Sequence, residues 1–211
     1  MAKKKNKKQT LLQLSPEKYI ITRARSLPIA ECLINEDWKE SGLADIIISR
    51  QHKSGNYTMG VYLVDMYCLG VKDTFYKYNI SQREYAELKE SYPFEPVTYN
   101  EAHNIIYGAI AYAEDLRIDP CYDFNVTQYI MEEDLEDIPL IEYEFGKNGK
   151  PFLVVSSKRD KNLYVSILNK SIGKGNFDFM LKGDDYDDYD ENDEDNEGED
   201  KPLLTEEMLQ N

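Results

Sequence analysis

Residues 44–69, ADIIISRQHKSGNYTMGVYLVDMYCL, leave this chain little choice but a sheet. ADIIISR is crowded with isoleucine, whose branched Cβ loses rotamer freedom in a helix and packs well on a pleated surface. YTMGVYLVDMYCL continues with tyrosine, valine and leucine, and QHKSGN between the two runs is a polar loop around Gly55. Two such runs joined by a short loop containing glycine predict a hairpin. The second run is apolar on both faces, with Met59, Val61 and Leu63 on one and Tyr62, Val64 and Met66 on the other. That pattern predicts a strand inside the sheet, not at its rim.

Around the hairpin the period changes. Ser15-Pro16-Glu17 reads as an N-cap followed by proline at the first helical position, opening a short helix through Arg25. PIAECLINEDWKESG predicts a second helix, closed by Gly42. Ser81 and Glu84 match a capping box and start a helix to about Ser91. In NEAHNIIYGAIAYAEDLRI, the residues Ala102, Ile105, Ile106, Ala109, Ile110, Ala113 and Leu116 fall within about 120° of arc. A helix over 99–117 is therefore expected to buttress the sheet. FNVTQYIMEE predicts a shorter helix, and NLYVSIL suits either a strand or a helix. Asn148-Gly149 in GKNGK is a tight-turn signal, predicting a second hairpin between IPLIEYEF and PFLVV.

These elements predict one α+β domain over 15–182: a small, mainly antiparallel sheet of four or five strands with helices packed on one face. Residues 1–14, with KKKNKK, read as a disordered basic arm. Residues 183–211 read as a disordered acidic tail ending in a short apolar cluster, because DDYDDYDENDEDNEGED cannot bury enough apolar surface to order itself.

The quoted segments LPIAECLINEDWKESG, IIISRQHKSGNYTMGVYLVDMYCLGVKDTFY, AHNIIYGAIAYAEDL and YEFGKNGKPFLV resemble a family of uncharacterised bacterial proteins. The likeness spans most of residues 15–156. It implies a single shared domain and brings no known activity with it.

The net charge of −15 hides four blocks: +6 over residues 1–83, −14 over 84–145, +6 over 146–183 and −13 over 184–211. The basic start runs into LLQLSPEKYI and not into an apolar leader, so no secretory signal is expected. No apolar stretch approaches the ~20 residues that span a bilayer, which argues against a membrane. Cys32, Cys68 and Cys121 are too far apart for a CxxC pair, and Cys68 reads as a core residue. A reducing cytoplasm is the expected setting.

Asp65 lies in the most apolar stretch of the chain, and a buried carboxylate must be paired or hydrogen-bonded. Amides of the turn around Leu69-Gly70-Val71, or the ammonium of Lys72, are the expected partners. The alternative is chemistry: Asp65 and Asp73 converging on a hard cation, with His103 as base or ligand, would make a metal-dependent hydrolase or nuclease. On the helical wheel His103 sits at the border of the apolar stripe, where one hydrogen bond would satisfy it. No nucleophile, phosphate-loop or metal-cluster motif accompanies these residues, and no cofactor is expected.

The stronger lead is electrostatic. Lys147, Lys150, Lys158, Arg159, Lys161, Lys170 and Lys174 recur beside Phe152, Tyr164 and Phe177. Cations interleaved with aromatics suit a phosphate backbone and its bases. The expected function is a non-enzymatic binding protein whose basic surface meets RNA or a nucleoprotein, modulated by the tethered acidic tail. A basic protein partner for the tail is the other expectation.

Overall fold

The computed structural model describes residues 14–135 and 138–182. The proposed arm, except Leu14, and the proposed tail lie outside the described residues.

The architecture is α+β. α1 (Pro16–Arg23) starts where the sequence placed it: the Ser15 side chain accepts the Lys18 amide and Pro16 takes the first turn. A single 3-10 turn, Ala24–Ser26, follows. β1 (Ile29–Asn35) and the one-turn α2 (Trp38–Ser41) occupy the segment expected to be a helix. β1 pairs on both sides and buries both faces, Cys32 and Ile34 into the main core and Leu33 into the opposite one. Its continuous apolar stretch, Cys32-Leu33-Ile34, therefore carries no period-2 signature. Only the end signal survives: Gly42, at φ 70°, closes α2.

β2 (Leu43–Gln51), β3 (Tyr57–Asp65) and β4 (Gly70–Ile80) form an antiparallel meander. With the short β5 (Phe94–Pro96) they give a five-stranded antiparallel sheet in the order β4-β3-β2-β1-β5. β3 lies inside the sheet, as its two apolar faces required. α4 (Tyr99–Asp115) crosses one face, burying Ala102, Ile105, Ile106, Ala109, Ile110 and Ala113. Its start is a full capping box between Thr98 and Glu101. α1 and α5 (Phe124–Thr127) share that face. α3 (Gln82–Glu90), capped by Ser81 and Glu84 as expected, lies across the other face. There Tyr85 packs with Leu33, Ile47 and Met59.

The last unit departs from the predicted hairpin. Asn148 (φ 55°) and Gly149 (φ 76°) do make the tight turn, closed by the Lys147 amide on the Lys150 carbonyl at 2.7 Å. The segment before it is not a strand. It packs on two helices instead: Phe145 stacks on Tyr112 of α4, Tyr143 meets Trp38 of α2, and Asn104 holds the backbone at Pro139 and Ile141. β6 (Phe152–Val155) pairs in parallel with β7 (Asp178–Leu181), and α6 (Lys158–Ser171) crosses between them. Parallel strands need such a crossover, which settles NLYVSIL as helix. No helix among the described residues is long and apolar enough to cross a membrane.

Candidate functional site

Asp65 closes β3, and its side chain is 2% exposed. Oδ1 accepts the amides of Tyr67 at 2.9 Å and Cys68 at 3.0 Å. Lys72 Nζ stands 3.8 Å from Oδ2, which has no hydrogen-bond partner. The carboxylate therefore folds the turn 66–69 back on itself. Lys72 is the expected cation, and the amides bonded to Oδ1 are those of Tyr67 and Cys68, just before the expected Leu69-Gly70-Val71. Burial pushes the Asp65 pKa up, against the opposing pull of Lys72 and the turn amides. Cys68 beside it is fully buried, its thiol pushed up to about 12 by burial. That is a core cysteine, not a thiolate nucleophile.

Asp73 and His103 do not join Asp65. Thr74 turns its hydroxyl to Thr127 on the α5 side of the sheet, so its neighbour Asp73 faces the other side and is exposed. Asp73 Oδ1 accepts the Thr74 amide at 2.8 Å. His103, on α4, lies across the sheet from it. Among the described residues no group of three or more His, Cys, Asp or Glu side chains could hold a metal ion.

His103 corrects the sequence reading in another way. It is 1% exposed, not a border residue, and its Nε2 has no hydrogen-bond partner. Residues 131–134 fold over it: Tyr99 accepts the Glu132 amide at 2.7 Å, and the Tyr99 and Tyr107 rings flank the imidazole at 5.7 and 4.5 Å. Burial lowers its pKa, outweighing Asp134 and the carbonyls of Glu132 and Glu133, so the ring is held neutral.

That cover is bolted down by two arginines that carried no role in the sequence reading. Arg50 is 1% exposed. Its guanidinium donates to the carbonyls of Ile130 (2.6 Å), Leu27 (2.5 Å) and Arg25 (3.2 Å) and to Glu132 Oε1 (2.6 Å). Arg25 donates to the Met131 carbonyl at 2.6 Å and pairs with Glu133 at 2.5 Å. A signal for Arg50 was present: it is in phase with Ile46 and Ile48, the core-facing positions of its strand.

No family model, curated protein or solved structure matches this chain.

The seven cations of 147–174 divide between the two ends of the β6-α6-β7 unit. Lys158, Arg159 and Lys161 lie on the first turn of α6, at the C-terminal end of β6. α6 then runs back for 14 residues, about 21 Å. Lys170 and Lys174 thus return to the end that holds the Lys147–Lys150 turn. None of the seven forms an ion pair with a described carboxylate within 4.0 Å. Lys147 covers the Phe152 ring at 4.7 Å, and Lys161 covers Phe179 at 4.8 Å. Of the aromatics expected to offer a stacking face, Phe177 is buried in the core and Phe152 and Tyr164 are half-buried. Phe179 is the exposed one, at 45%. Lys158 and Arg159 occupy a helix start, where cations oppose the macrodipole at a cost of about 0.3–1 kcal/mol each. Asp160 offsets part of this by capping with Ser157.

Proposed function

We propose that this protein is a non-enzymatic RNA-binding protein that holds a single strand along its β6-α6-β7 unit. One observation carries the reading: exposed cations stand at both ends of the unit, two of them on a helix start where they cost stability, and none pairs with a described carboxylate within 4.0 Å. An anion at that start meets Lys158, Arg159 and the positive end of the helix together. Phe179, exposed beside Lys161, offers a ring next to one pole on which a base can stack. The sealed position of Asp65 and the separation of Asp73 from His103 favour binding over a metal-dependent hydrolase or nuclease.

The tail enters as a competitor. Residues 184–200 carry 12 carboxylates directly after this unit in sequence. A tethered polyanion acts at high effective concentration and leaves room only for ligands that bind more strongly than it does. A reducing cytoplasm suits the protein, since all three cysteines are unpaired thiols.

The test is the salt dependence of binding to a labelled oligoribonucleotide. K158Q/R159Q is expected to weaken binding for all sequences alike and to flatten the log–log salt slope by about 1.4, that is about 0.7 per lost phosphate contact. The same variant should keep or slightly raise thermal stability, as the dipole penalty is relieved. Deleting 184–211 should strengthen binding. Absence of binding at low salt, with and without the tail, overturns the proposal.

A further inference from the structure

β4 ends the sheet, and the middle of its outer edge has a distinctive composition. Its register with β3 is interrupted between Leu63 and Val64 and again between Tyr57 and Met59. Between these irregularities residues 73–77 pair without a break: Asp73 opposite Leu63, Phe75 opposite Val61, Lys77 opposite Met59. The Thr74 amide points away from β3, since it is taken by Asp73 Oδ1. Alternation then sends the amide and carbonyl of Tyr76 to the same edge. On one face of this run Asp73, Phe75 and Lys77 are all exposed, Phe75 at 47%. Unpaired edges template further strands, and a regular stretch centred on an exposed phenylalanine is poorly guarded.

We propose that two copies of this chain pair through this edge, antiparallel about a two-fold axis at Phe75, so that their five-stranded sheets continue as one. Under that axis Phe75 faces the partner's Phe75, and Asp73 faces the partner's Lys77 twice over. Thr74 and the partner's Tyr76 exchange backbone hydrogen bonds. The Phe–Phe and Asp–Lys positions then fall on the non-hydrogen-bonded pairs, where opposing side chains come closest and both aromatic and opposite-charge pairs stabilise. Moving the axis to Tyr76 would set Asp73 against the partner's Asn79 and Lys77 against the partner's Phe75, so only the Phe75 register pairs both charges.

The freed groups also balance. Asp73 gives up the Thr74 amide to the partner's Tyr76 carbonyl and takes the partner's ammonium instead. On the opposite face the partner's Tyr76 lies over Thr74, beside a cavity of about 180 Å³ lined by Thr74, Phe75, Tyr76, Asp123 and Val126. Glu84 and Glu87 stand near Lys77 from α3 and share its charge. Five paired residues per copy bury less than the ~1,200 Å² of a stable interface, so the dimer is a reversible one of micromolar affinity.

Sedimentation equilibrium of the full chain over about 1–200 µM tests this. D73K and K77D each create two like-charge pairs and should weaken dimerisation at least about tenfold. The double variant D73K/K77D restores the pairs and the dimer. An equimolar mixture of the two single variants should dimerise too, because every lysine then faces an aspartate across the axis. F75E, at an exposed position, should abolish the dimer with the thermal melt unchanged, and it reads the same contact should D73K perturb the Thr74 amide. A monomer throughout the range, a dimer indifferent to these changes, or failure of both the double variant and the mixture overturns the proposal.

Discussion

Removing the Asp65 carboxylate distinguishes an architectural acid from a reactive one. In D65A the Tyr67 and Cys68 amides, bonded at 2.9 and 3.0 Å in a site 2% exposed, lose their side-chain acceptor. Each buried donor left unsatisfied costs about 1–3 kcal/mol. The loss of the ion's own desolvation penalty returns part of that, giving a net destabilisation of about 3 kcal/mol. At this size that is a fall of about 6–12 °C in Tm. D65N keeps an oxygen for both amides and carries no charge to bury, so it should match the wild type within about 1 kcal/mol. The pH dependence has a definite sign. Burial raises the folded pKa of Asp65 above 3.8, so the native state binds the proton more tightly than the unfolded chain. This group's contribution is therefore greatest below pH 3.8 and declines as pH rises through the folded value. D65N should lack that decline. Urea denaturation of the three proteins across the acid range measures all of this at constant m-value. A D65N as damaged as D65A would refute the reasoning, because it would make the charge itself indispensable.

Two further outcomes follow from the polar bolts over His103. R50M removes the donor to one buried and two part-buried carbonyls and leaves the half-exposed Glu132 without its cation. It should cost about 2–4 kcal/mol, chiefly from the carbonyls left without a donor, read as a lower urea midpoint with unchanged m, and a loss below about 1 kcal/mol would mean the carbonyls find other partners. The lowered pKa of His103 makes its contribution complete above pH 6.5 and lost as pH falls below that value toward the folded one. H103F should flatten the fall in urea midpoint between about pH 7 and about pH 5. A residual slope is expected from His52, whose pKa is lowered in the same sense.

Local signals marked most of this fold. Proline after Ser15, the Ser81–Glu84 box, the stripe on α4 and the Asn148-Gly149 turn each act within a few residues, and each appears where it was read. Two features escaped because distant chain decides them. β1 is a strand because β2 and β5 both hydrogen-bond to it, and burial of both its faces erased the alternation that would have announced it. Residues 138–145 alternate like a strand but place Tyr143 on Trp38, Phe145 on Tyr112 and their backbone on the side chain of Asn104. The candidate site was legible in part. Asp65 took amide partners from its own turn, as a buried carboxylate must. The burial of His103 was not legible, since residues 131–134 cover it from almost thirty positions away.

The turn that Asp65 shapes has a second tenant. Its carbonyls at Met66 and Tyr67 receive the amides of Gly146 and Phe152, at 2.9 and 3.0 Å. Cys68 and Leu69 enter the small core shared with Leu153, Val155 and Leu168. A two-stranded sheet has little stability of its own, so the C-terminal unit borrows its footing from the tip of the meander. Loosening one carboxylate would thus be felt as a lost anchorage at the lysine-bearing end of the molecule, far along the chain from the acid itself.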